Sequence, residues 1–148
     1  MNKRYVVAAW VMALAVPAMA KDLATSLPGN WTIDKAAAFE AMAPPFYKMA
    51  TPEKQKEILA DAMKSVPDMS VEFTATTASM KSGSEAPQVA TYKVTKQDQK
   101  TVWADMVPKK KDGSAGAAEK FTFEFVDPNT VKMLKEGDPA ALLLHRAK

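Results

Sequence analysis

The sequence predicts a mainly β fold of the α+β class: an antiparallel meander that curls into a small barrel or half-barrel, with a two-helix insert after its first strand. Three observations predict it. From residue 69 onward apolar residues recur at every second position, the period of a strand with one buried face. Turn-forming residues interrupt that alternation at short intervals, and connections that short join antiparallel neighbours. Ahead of the meander, residues 52–66 carry apolar side chains at helical spacing.

The elements follow in order. Residues 21–30 are a polar lead-in containing the turn signal Pro28-Gly29, and Trp31, Thr32 and Ile33 read as a short strand. Asp34 is placed to cap a helix over 35–42, because its carboxylate can accept an orphan backbone N–H. Pro44 and Pro45 stop that helix: neither has an N–H to donate, and the first restricts Ala43. Thr51, Pro52 and Glu53 supply a cap, a pre-set φ and a favourable charge for a second helix. Ile58, Leu59, Ala62, Met63 and Val66 form its apolar stripe, and Pro67 ends it.

In the meander, Met69, Val71, Phe73 and Ala75 share one face of a strand over 69–76, and 81–84 is a turn. Ala90, Tyr92 and Val94 alternate next. Val102, Ala104 and Met106 then oppose Trp103 and Val107, and 109–118 is a loop. Phe121, Phe123 and Phe125 follow, then short strands over 130–134 and 141–146. That makes seven strands. Their apolar face must be buried, so the sheet is expected to bend or close, with the 52–66 helix across an opening. No internal repeat or second domain is visible.

Residues 1–20 read as a removable secretion signal, leaving 21–148 as the domain. Lys3 and Arg4 precede an apolar run over 5–16, shorter than the ~20 residues of a membrane span. Ala18 and Ala20 are the small residues a signal peptidase reads. The domain is therefore expected in the periplasm or secreted, with no stable membrane span after cleavage. The chain of 148 residues is 47% apolar and 25% charged, enough for a core without staples. Its formal charge of +3 includes Lys3 and Arg4, so the remainder is close to neutral, with Arg146 as its one arginine. That argues against a nucleic-acid partner. No Gly-rich phosphate loop occurs, and no cofactor is expected. The lack of Cys excludes disulfides, thiolate metal sites and Cys nucleophiles.

Gly29, Asn30 and Trp31 open the first strand, and Arg146 lies at the end of the last. This pairing resembles the lipocalin and calycin pattern, in which a Gly-x-Trp motif begins the first strand and a late basic residue packs across the indole. Small secreted lipocalin-like domains of bacteria share that layout. The resemblance implies a barrel closed at one end by Trp31 and Arg146, a structural pair and not a catalytic one. A guanidinium plane stacks well on an indole face.

Little in the sequence points to catalysis. His145 is the sole histidine, and no Ser has nucleophile-elbow spacing. Asp34, Asp127 and Asp138 suit caps and turns. Zinc would need several His or Cys ligands. Met42, Met49, Met63, Met69, Met80, Met106 and Met133 lack a copper-binding spacing and read as core fillers. Lys109, Lys110 and Lys111 are either a solvated loop tip or a contact for an anionic surface such as lipid headgroups.

Phe39, Met42, Phe46, Tyr47 and Met49 give the insert a large apolar surface, either capping the core or forming a lid over an apolar pocket. Phe39, Phe46, Met63, Phe73, Tyr92, Phe123 and Leu143 are the candidate ligand-binding residues. The expectation is an exported, non-enzymatic binding protein for a small apolar or amphipathic ligand. The other reading is a protein-interaction or inhibitor module of the cell envelope.

Overall fold

The computed structural model describes residues 23–148; the leader expected at 1–20 lies outside the described residues. Among the described residues the alternating segments form eight strands: β1 (Gly29–Ile33), β2 (Met69–Phe73), β3 (Thr77–Ser82), β4 (Gln88–Gln97), β5 (Thr101–Pro108), β6 (Glu119–Asp127), β7 (Thr130–Lys135) and β8 (Ala141–Arg146). Each pairs antiparallel with the next, and β8 pairs back onto β1 to close the barrel. The meander is therefore fully closed, not a half-barrel.

The sequence predicts seven strands because the alternation over 69–76 runs on without a visible break. The chain in fact reverses there. Thr74 makes the turn, its hydroxyl accepting from the N–H groups of Thr76 and Thr77 at 3.3 and 2.9 Å. The Tyr92 hydroxyl donates to the Thr74 carbonyl and braces the turn from β4. A hydroxyl does here what Gly or Asn does elsewhere, so the usual turn residues are missing.

One end of the barrel is sealed. Trp31 is fully buried, and its Nε1 donates to the Leu27 carbonyl at 2.8 Å. A 3-10 turn (Leu23–Ser26) and Leu27 pack beneath it, with Leu27 also fully buried. The Arg146 guanidinium lies 4.2 Å from the centre of the Trp31 ring. It donates to the Ser26 carbonyl at 2.6 Å and to the Pro28 and Pro128 carbonyls at 3.4 Å. Gly29 makes this contact possible. Its φ is +133°, and a Cβ there would sit 2.8 Å from Arg146 Nη1. Inside, Phe125 meets Trp31 edge-on at 6.4 Å, and Val102, Val131 and Leu144 are fully buried.

The insert between β1 and β2 holds three helical pieces where two were expected: α1 (Lys35–Met42), α2 (Pro45–Lys48) and α3 (Pro52–Ser65). Asp34 and Thr51 cap α1 and α3 as their chemistry requires, accepting from the Ala37 and Lys54 amides. Pro44 and Pro45 end α1, and Pro45 starts the extra turn, α2. Helix α1 packs on β8, with Ala38 joined to the barrel core. Helix α3 packs on α1 and α2 and buries no residue fully. Lys35 holds it there. Its Nζ donates to the Val66 and Met63 carbonyls at 3.2 and 3.5 Å and pairs with Asp68 at 2.8 Å. A cation at a helix C-terminus is favourably placed against the helix dipole. The insert thus folds back on itself beside β8.

Two predictions follow from the seal and the cap. Gly29→Ala forces a Cβ against the guanidinium at an unfavourable φ and should cost about 2 kcal/mol in chemical denaturation. Asp34→Ala should cost about 1 kcal/mol. The Ala37 N–H holds the Asp34 carboxyl below its ordinary value of 3.8, helped by His145 Nε2 at 3.1 Å. A depressed folded value stabilises the fold above that ordinary value, and the contribution is lost as pH falls through the lowered one. Acid titration of stability should therefore be shallower in Asp34→Ala.

Candidate functional site

The opposite end of the barrel is the one where β1, β3, β5 and β7 finish and β2, β4, β6 and β8 begin. It carries the insert and the 83–87, 109–118 and 136–140 connections. The interior is not filled there. A cavity of 360 Å³ opens between β2, β3, β4, β5, β6 and β7. Val71, Phe73, Ala78 and Met106 are its buried lining, and Met80, Ala90, Phe121 and Met133 its half-exposed or buried walls. Gln88, Val89, Pro108, Glu119 and the three lysines 109, 110 and 111 form its rim. Phe73 anchors the inner boundary by edge-on contacts with Tyr92 and Phe123 at 5.7 and 5.5 Å.

The candidate residues named from sequence divide into three groups. Phe73 lines the cavity, and Tyr92 and Phe123 pack against it from within the core. Phe39, Phe46 and Met63 belong to the insert, and no insert residue lines the cavity. Phe39 packs edge-on against the buried Tyr47 at 5.2 Å, Met63 is half-buried on α3, and Phe46 is 64% exposed. The expected placement of the 52–66 helix across an opening is corrected: Lys35 draws its C-terminal end back to α1. Leu143 is also misplaced, because Leu144 is the fully buried residue of β8 and its neighbour points to the outer face.

Sequence reasoning missed Met80, Ala90, Met106, Phe121 and Met133 as cavity walls. Ala90 and Phe121 share strand and inward parity with Tyr92 and Phe123, whereas Met80, Met106 and Met133 lie on strands that supplied no candidate. The missing signal was height: these positions sit toward the strand ends far from Trp31, where no plug like Leu27 is supplied.

The lysine-bearing rim is a built loop. The Lys109 N–H donates to the Val89 carbonyl at 2.9 Å, and Lys109 bridges to Ala115. The Lys110 N–H reaches the Ser114 carbonyl at 2.8 Å, and the Gly116 N–H reaches the Pro108 carbonyl at 2.7 Å. Gly116 is necessary for that closure, since a Cβ would lie 2.8 Å from Pro108 Cγ. Asp112 turns inward on the loop, accepting from the Ser114 hydroxyl and amide at 2.6 and 2.9 Å. Those bonds, the hydroxyl's first, hold its carboxyl below the usual range.

A second hollow of 600 Å³ adjoins the mouth, between residues 85–89 and the same three lysines. A third, of 630 Å³, lies on the outer face of β5, β6 and β7 around Trp103, over which Lys96 sits at 4.9 Å. That groove is the larger, but it lies on the barrel's outer surface. The mouth continues the apolar interior into solvent.

Among the described residues, no cluster of three or more His, Asp or Glu side chains is arranged to hold a metal ion, and no helix is long and apolar enough to cross a membrane. Comparison of the chain with protein-family models, with curated proteins and with solved structures finds no match.

Proposed function

We propose that this protein is an exported, non-enzymatic binding protein that takes a small apolar or amphipathic molecule into the open end of its barrel. The supporting observation is the 360 Å³ mouth, whose walls are the apolar inward side chains of six strands. Its size lies toward the lower end of the range for small-molecule sites, ~300–1,000 Å³. Three of its walls are Met80, Met106 and Met133, whose flexible thioethers adapt to ligands of varied shape. The lipocalin resemblance carried by Gly29, Trp31 and Arg146 agrees with such a role. Placement outside the cytoplasm rests on the leader at residues 1–20.

A role as an interaction module of the envelope is the second reading. It is favoured by Met42, Phe46 and Met49, which are 63%, 64% and 86% exposed on one segment of the insert.

Titration with the apolar dye Nile red tests the binding reading. Saturable fluorescence is expected, and Ala90→Phe, which puts a ring into the mouth, should weaken it about tenfold. Absence of saturable binding, or equal binding by the variant, counts against a mouth site. Intact mass of protein recovered from its host tests export: the chain should begin at Lys21, and one that begins at Met1 contradicts it.

A further inference from the structure

We propose that the ligand of the mouth is an anionic amphiphile, its carboxylate or phosphate group held by Lys109, Lys110 and Lys111 while its chain enters the barrel. This deepens the binding reading and rests on it.

Four observations carry it. First, the three lysines border two hollows at once: the apolar mouth and the adjoining groove of 600 Å³. A molecule with its chain in one can place its head at the entrance to the other. Second, the lysines are unneutralised. None of the three makes an ion pair among the described residues. The nearby carboxylates are largely engaged elsewhere: Asp112 bonds Ser114 within its own loop, and Glu119 pairs with Lys135 at 2.6 Å. Glu85 is the one carboxylate lining the groove, against three ammonium groups.

Third, the loop is held in place. Its backbone is tied to β4 through Val89 and to itself through Ser114 and Pro108, so the lysines need little ordering of the chain beneath them. A pre-ordered site loses less entropy on binding. Fourth, the site is amphipathic in the order a ligand would require, from buried Phe73 and Met106 outward to exposed lysines. The cavity lies toward the lower end of the ~300–1,000 Å³ range of small-molecule sites, which suits a chain of medium length. An ammonium group strengthens a hydrogen bond to an anionic oxygen relative to a neutral one.

Calorimetric titration with decanoate, decyl phosphate and decanol tests this. The anions should bind about tenfold tighter than decanol at low salt, and that advantage should shrink as salt screens the exposed lysines. The triple variant Lys109→Gln, Lys110→Gln, Lys111→Gln should bring both anions to the level of decanol measured on the same variant. Whichever anion is tighter identifies the headgroup as carboxylate or phosphate ester. The exposed, unpaired lysines can be changed without loss of fold, which an unchanged melting temperature verifies. Equal affinity for decanol and the anions overturns the proposal and leaves the apolar binding reading standing. So does a triple variant that loses only co-sedimentation with phosphatidylglycerol vesicles, which would assign the lysines to a membrane surface. If none of the three compounds binds, the binding reading fails and the proposal fails with it.

Discussion

A barrel made from one meander has a single seam, and here it joins β1 to β8 across nearly the whole domain. Trp31 stands opposite Arg146, Thr32 opposite His145 and Ile33 opposite Leu144. The backbone extends the seam at both ends, with the Ala147 N–H on the Asn30 carbonyl and the Asp34 N–H on the Leu143 carbonyl. Without it the sheet would present two unpaired edges, which proteins otherwise have to cover or disrupt. Pairing so distant in sequence carries a large closure cost, offset in part by what it traps. Burying the Trp31 side chain contributes on the order of 3 kcal/mol. The stacked guanidinium adds about 1 kcal/mol more. The short β1 strand therefore carries more of the architecture than its five residues suggest.

The two ends of the barrel are unlike because the chain supplies filler to only one. The 3-10 turn and Leu27 enter beneath Trp31, and Arg146 covers the ring from the last strand. At the far end the corresponding segment is the insert, and it is occupied with itself. Phe39 meets Tyr47, Lys35 reaches across to the end of α3, and α1 spends Ala38 on the edge of the core near β8. Small residues in the wall, Ala78 and Ala90, leave volume where larger ones would close it. The asymmetry follows from this distribution of side chains along one continuous chain.

Much of this architecture was legible in the sequence, and the failures are local. Period-two alternation located most strands, and both helix caps at Asp34 and Thr51 were readable because each is a one-residue chemical device. β3 was hidden because Thr74 makes its turn with a hydroxyl. The position of α3 was hidden because its half-buried stripe faces other helices, and a stripe states that a face is covered without saying by what. On β8 the run Leu142, Leu143, Leu144 gave no polar residue to fix the inward parity. The candidate site was legible only in part. Of the candidates on the inward face, Phe73 lines the mouth while Tyr92 and Phe123 lie behind it in the core, because the mouth depends on height along the barrel axis, a coordinate set by strand register.

The seal also determines at which end of the barrel an attachment would sit. Residues 23–28 and the chain beyond Arg146 both emerge at the Trp31 end, with the full height of the barrel between them and the opening. A linker, a carrier domain or a solid support joined at either terminus would hold the molecule by its base. The opening would then face outward, free for exchange with the surrounding medium.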